Sequence, residues 1–186
     1  LTALKLQLSD NTYISSTPVN TVLEAAKACG IKIPAPKVIK VNQPRKPYNV
    51  FQSTDGIRIL VGKSAVDNDE LSLNRKHRDD AYWWMHVANS PGSHVVICST
   101  APNIKDTYPQ TILDAAALTA KYSKCTSQKA EIHMTQCRNI RKPLGAKAGL
   151  VQLTGRIEHL KIDMRCQKNR IDRLEASRSK NYSNSH

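Results

Sequence analysis

The 186-residue chain contains no CxxC pair. Its five cysteines, Cys29, Cys98, Cys125, Cys137 and Cys166, are odd in number and far apart. That spacing argues against a structural zinc site and against a disulfide framework, so the thiols are expected to be reduced. No apolar run approaches the ~20 residues of a membrane span, and no spanning helix is expected. The opening LTALKLQLSD lacks the basic start and apolar middle of a signal peptide. The first residue is Leu1 rather than Met, which is expected of a fragment or a processed product. There is no GxSxG elbow, no HxxxH pair and no internal repeat. Acidic residues are scarce: 15 Asp and Glu stand against 28 Lys and Arg, a net charge of +13. Such a balance points to a polyanionic partner, either nucleic acid or an acidic membrane surface.

Hydrophobic residues make up 40% of the chain, which allows one domain of ordinary core size with irregular appendages. Residues 1–33 read as a weakly structured opening, with a short helix over PVNTVLEAAKACGIKI. PAPKVIKVNQPRKPYNV follows, with four prolines and four basic residues, and reads as an extended linker. The compact part is expected from Tyr48. GIRILVGK alternates as a strand ended by Gly62. DNDELSLNRK reads as a short helix or turn, with Asn68 or Asp69 as its cap. DAYWWMHVA and SHVVICS read as strands joined by an NSPGS turn of type II, with Gly92 at φ > 0. TYPQTILDAAALTAKYSKC is the clearest helix, opened by Thr107 or Pro109. KAEIHMTQC and LVQLTG read as further strands. Over residues 156–175 strand and helix periods both fit. SRSKNYSNSH, after Ala176, reads as disordered.

The pattern predicts an α+β fold. It has a mostly antiparallel sheet of about five or six strands, one main helix over about 107–124, short helices and a flexible basic tail. Three parts are expected: an N-terminal extension and linker over 1–47, a domain over 48–164, and a basic, partly disordered tail over 165–186.

Charge is concentrated late in the chain. Residues 138–186 carry twelve Lys or Arg against four Asp or Glu, whereas residues 64–80 are nearly balanced. Basic residues in flexible segments suit a phosphate backbone. A catalytic reading pairs His86 or His94 with Asp79 or Asp80, with Ser93 as nucleophile. The neighbouring sequence lacks the motifs that accompany such chemistry, so no catalytic residue, metal ligand or cofactor is assigned. A metal-dependent nuclease using His86, His94 and nearby aspartates stays as an alternative, as does a charge-driven DNA or acidic-membrane interaction domain.

The blocks DGIRILVGKSAVDNDELS, WWMHVANSPGSHVVIC, AAALTAKYSK and RKPLGAKAGLV occur in that order. In this they resemble the NFACT-R domain, the RNA-binding domain of the ribosome quality-control family that includes RqcH, NEMF and the fibronectin-binding proteins. The resemblance covers about Tyr48 to Leu160. It implies binding to tRNA and/or large-subunit rRNA on the ribosome, during rescue of stalled ribosomes, in the cytoplasm or an organelle. The family's NFACT-N domain, helix-hairpin-helix segment and coiled coil are not recognisable here. The resemblance therefore implies a fragment or a stand-alone member, acting alone or with a separate NFACT-N-containing protein. Where the family usually has a Gly-Arg-Asn type turn, this chain has Gly62, Lys63 and Ser64. Lysine keeps the charge there but not the planar fork.

Candidate RNA-binding residues follow from charge and position. The loop RNIRKPLGAKAG places Arg138, Arg141, Lys142 and Lys147 within ten positions, and its glycines would let an RNA backbone approach. Lys63 adds a cation after the first strand. Strand alternation puts Trp84 and His86 on one face, either buried or presented to a base. Ser93 and His94 follow the turn, where their amides and the Ser93 hydroxyl are candidates for holding a phosphate.

Overall fold

The structure is a computed structural model that describes residues 45–180. The expected N-terminal helix and most of the proline linker lie outside the described residues, as do residues 181–186.

Among the described residues, eight strands form in chain order. They are β1 Tyr48–Gln52, β2 Arg58–Gly62, β3 Trp83–Val87, β4 Val95–Ile97, β5 Lys129–Gln136, β6 Ile140–Arg141, β7 Gln152–Leu153 and β8 Glu158–Asp163. Six of them make one antiparallel sheet in the order β1-β2-β4-β3-β5-β8. β6 and β7 pair as a separate two-stranded ribbon. The helices are α1 Ala65–Leu73, α2 Ile104–Thr107, α3 Pro109–Lys121 and α4 Lys168–Lys180. The α+β class and the mainly antiparallel sheet agree with the sequence pattern. Sequence alternation did not single out β1 or β6, because each is short and half polar.

Side chains alternate across the sheet. One face presents Phe51, Ile59, Met85, Ile97, Ile132 and Met134, all fully buried. α3 and α4 cover it with Leu118, the alanines of α3 and Leu174. The other face presents Leu60, Trp84 and Val96, which pack against Leu71 of α1 and against Cys137 and Ile140.

Several local expectations change. Ser64 caps α1, its Oγ accepting from Asp67 N at 3.2 Å. Asn68 instead points inward, accepting from His94 N at 3.0 Å and donating to Gly92 O at 3.1 Å. The main helix starts at Pro109, one of the two expected openings, and α2 precedes it as a separate turn. Tyr108 lies between them at φ −136° and ψ 61°, because the residue before proline is excluded from helical backbone. In the NSPGS turn, Asn89 takes the positive φ (55°) and Gly92 does not. Gly92 is needed for close approach: it bridges to Ser123, and a Cβ there would lie 2.9 Å from the Ser123 Cβ. This replaces the type II reading.

Residues 156–175 divide into strand then helix, β8 followed by α4. Residues 168–180, expected within the basic tail, are helical and docked on the sheet. Leu174 is fully buried, and the buried carboxylate of Asp114 accepts from both Arg170 and Arg173. Asp114 also accepts from Thr54 N at 2.8 Å. Ile171 packs beside Leu174, and Ser177 and Glu175 add hydrogen bonds from Gln52 N and the Tyr122 hydroxyl, so a mainly polar helix docks through a few apolar and many polar contacts.

Candidate nucleic-acid interface

The sequence-derived candidates divide into an interior set and a surface set. Trp84 is 2% exposed and His94 1%, so neither is presented to solvent. Trp84 Nε1 donates to Ser72 Oγ at 3.1 Å, and that oxygen lies 2.7 Å from His94 Nδ1. The His86 ring stacks on Trp84 at 5.9 Å between centroids and meets His94 edge-on at 5.4 Å. Burial pushes the His94 imidazole down to about 4, helped by neighbouring His86, and also lowers half-buried His86. These rings make a neutral polar interior under α1.

The Ser93–His94 phosphate cradle does not form. Ser93 N donates to Tyr122 O, His94 N to Asn68 Oδ1 and Ser93 Oγ to Gly62 O. All three donors are spent within the fold. The catalytic alternative also loses its geometry. Asp80 accepts from Arg75 and Arg78, and Asp79 accepts from the Ala81 amide. Neither carboxylate reaches His86 or His94.

In the surface set, Arg138, Arg141, Lys147 and Lys63 are exposed. Lys142 behaves differently. Its ammonium donates to Asp69 Oδ2 at 2.9 Å and to the carbonyls of Lys147 and Leu150 at 2.6 and 3.0 Å. It pins the loop into shape instead of offering a mobile charge. Gly149 takes φ 80° and brings the loop backbone onto Ala65, where a Cβ would lie 3.2 Å away. This glycine serves packing against α1, not approach by RNA. The docked loop holds the exposed Arg141 and Lys147 beside the start of α1, close in sequence to Lys63.

A second basic feature has no counterpart among the sequence-derived candidates. A cavity of about 390 Å³ opens on the second face of the sheet, at the β1–β2 end. Lys46, Arg58, Arg75, Lys76 and Arg78 line it, and among the described residues Asp79 is the one acid in its lining. Tyr48, His77 and Tyr82 supply its rings, with Tyr48 and His77 edge-on at 5.5 Å. Lys63 lies outside the lining and donates to the Lys46 carbonyl at 2.9 Å. Burial raises Tyr48, Tyr82 and Cys98, so these walls are neutral. Cations around aromatic walls suit a nucleotide: phosphate on the rim and a base against the rings. The signal was present in RKHR, residues 75–78. It was averaged away, because Asp67, Asp69, Glu70, Asp79 and Asp80 lie in the same window. Asp67 and Asp69 are engaged elsewhere, by Arg45 and Lys142, whereas Glu70 meets Asn74 and the cavity's own His77, and Asp80 accepts from Arg75 and Arg78.

Comparison with known proteins decides the family. Residues 47–155 match the family model described as the NFACT protein RNA binding domain. The chain belongs to the NFACT-R family. It is 40% identical over 121 residues to the Rqc2 homolog RqcH of Bacillus subtilis (strain 168), covering 62% of this chain and 20% of that protein. It is 35% identical over 118 residues to the Rqc2 homolog RqcH of Streptococcus suis (strain 05ZYH33), again over 62% of this chain and 20% of the relative. The chain thus spans about a fifth of the length of these curated relatives. Among solved structures, it is similar to the C-terminal part of the fibronectin/fibrinogen-binding protein from Streptococcus suis. That match has a TM-score of 0.60 and 28% identity, covering 86% of this chain and 59% of the other. The cavity lining from Tyr48 to Cys98 and the docked basic loop both fall inside the residues that match the NFACT-R model.

Proposed function

We propose that this chain is a non-enzymatic RNA-binding module of ribosome-associated quality control, contacting tRNA or large-subunit rRNA. The observation that carries this reading is the cavity on the second sheet face, where five cationic side chains surround three aromatic or imidazole rings within an NFACT-R domain. Backbone phosphates would lie along Arg58, Arg75 and Lys76, with an unstacked base against Tyr48 or Tyr82. The exposed Arg141 and Lys147 extend the positive surface past α1. Arg138 and Lys63 add to it. Trp84, His86, Ser93 and His94 act indirectly, by holding the sheet face and α1 in place. The partners are the ribosome and its RNAs, in the compartment where translation runs, with a separate NFACT-N-containing protein as a further partner.

Binding of fluorescent tRNA across a salt series tests the proposal. The double variant Arg75→Glu/Lys76→Glu should weaken binding about tenfold or more and reduce the salt slope by about two, one for each phosphate no longer neutralised. Arg141→Glu/Lys147→Glu should act in the same direction. Unchanged affinity and slope in both would remove the interface. Equal affinity for tRNA, duplex DNA and heparin would reduce the reading to net charge alone.

A further inference from the structure

We propose that Glu131, His133 and His159 form a binding site for a divalent transition-metal ion of the zinc class. The site sits on the second face of the sheet, on β5 and β8. Strand alternation places Glu131 and His133 on the same face of β5, two residues apart. Antiparallel register then sets His159 of β8 directly opposite His133. One ligand atom from each residue lies within 4.8 Å of the other two. His159 Nδ1 is already 3.0 Å from Glu131 Oε1, and the two imidazoles meet edge-on at 4.8 Å between centroids.

Two imidazoles and a carboxylate match the preferences of zinc and its neighbours, and three protein ligands leave a fourth position for water. A tetrahedral ion needs its ligand atoms closer than 4.8 Å. Glu131 and His159 are partly exposed, at 43% and 56%, so they can turn inward without disturbing the core. Lys161 stands opposite Glu131 in the register and tempers the local negative charge. Affinity is therefore expected to come from the imidazoles, which coordinate as neutral rings. The ion would staple β8, an edge strand, to β5. No spacing motif announces this set, because its third ligand comes from another strand, 26 residues beyond His133 in the numbering. The site is independent of the RNA-binding proposal and stands or falls separately.

The test is calorimetric titration of the full chain with zinc at neutral pH, with thermal unfolding followed in parallel. One ion per chain should bind with micromolar affinity and raise the Tm. His159→Ala and Glu131→Gln, at partly exposed positions, should each weaken binding tenfold or more while leaving the metal-free Tm nearly unchanged. His133→Ala should do the same to binding. Cys166→Ser removes an exposed thiol outside the site and should bind like the parent. Absence of saturable binding overturns the proposal. Parental affinity in both His159→Ala and Glu131→Gln, or loss of binding in Cys166→Ser, assigns the ion to adventitious ligands and overturns it equally.

Discussion

The two faces of the six-stranded sheet solve different problems with the same strands. Under α3 and α4, the side chains from Phe51 across to Met134 are aliphatic, aromatic or methionine, and nearly all are fully buried. That face is a conventional core, with no room for ligand. On the opposite face apolar groups such as Leu60, Val96 and Trp84 hold the middle strands, and polar groups of β5 and β8, among them Glu131, His133, His159 and Lys161, hold the β8 side. Trp84, His86 and His94 meet under α1, Arg58 and Tyr48 border the cavity, and Glu131, His133 and His159 lie toward the β8 edge. α1 and the β6–β7 ribbon cover only part of this surface. Alternation thus divides labour within one strand. Trp83 and Met85 pack under α3 and α4, while Trp84 and His86 pack under α1 on the face that carries the proposed interface.

The largest effect should come from breaking the covered face. Met85→Ala deletes a fully buried side chain and should cost about 3 kcal/mol in a denaturant titration. RNA affinity of the folded protein should stay at the parental value. A large affinity loss at preserved folding would mean that the two faces are coupled, and the division of labour would fail.

Acid should separate the faces next. His94 is held at about 4 in the fold, against an ordinary 6.5. Between those values the unfolded chain binds the proton and the folded one does not. Stability is therefore complete above about pH 6.5 and falls as pH drops toward 4, by a total on the order of 3 kcal/mol. His94→Gln should lower stability at pH 7 and flatten this pH dependence. An equally steep acid loss in that variant would assign the effect to other groups.

A smaller change should sharpen the picture of the loop. Asp69→Asn removes the carboxylate charge that holds Lys142, and a half-buried pair of this kind contributes about 1 kcal/mol. Amide exchange in residues 142–150 should speed up while the sheet amides stay protected. Uniform exchange behaviour would mean that the loop is held by Gly149 packing on Ala65 rather than by the ion pair.

Much of the fold was legible in local pattern. Alternation located β2 to β5, the alanine-rich period located α3, and the order of four sequence blocks pointed to the NFACT-R family. The interface was legible only in part. Counting charge by window favoured residues 138–186 and passed over Arg75, Lys76 and Arg78. It could not tell Lys142, which pins a loop, from Arg141, which is exposed. Trp84 and His94 look like surface candidates in sequence because aromatic and imidazole groups serve both recognition and buried hydrogen bonding.

Class, main elements, basic character and family are all written in local sequence. These follow from interactions within a few residues, or from the order of motifs, both of which a linear pattern records. Tertiary structure alone decided that α4 forms and docks through Leu174 and Asp114, that the Ser93 and His94 donors are spent inside the fold, and that Arg58 shares a cavity with Arg75. It also decided that His159 stands opposite His133. Each of these depends on strand register and helix docking between segments far apart in sequence, and no local spacing carries that information.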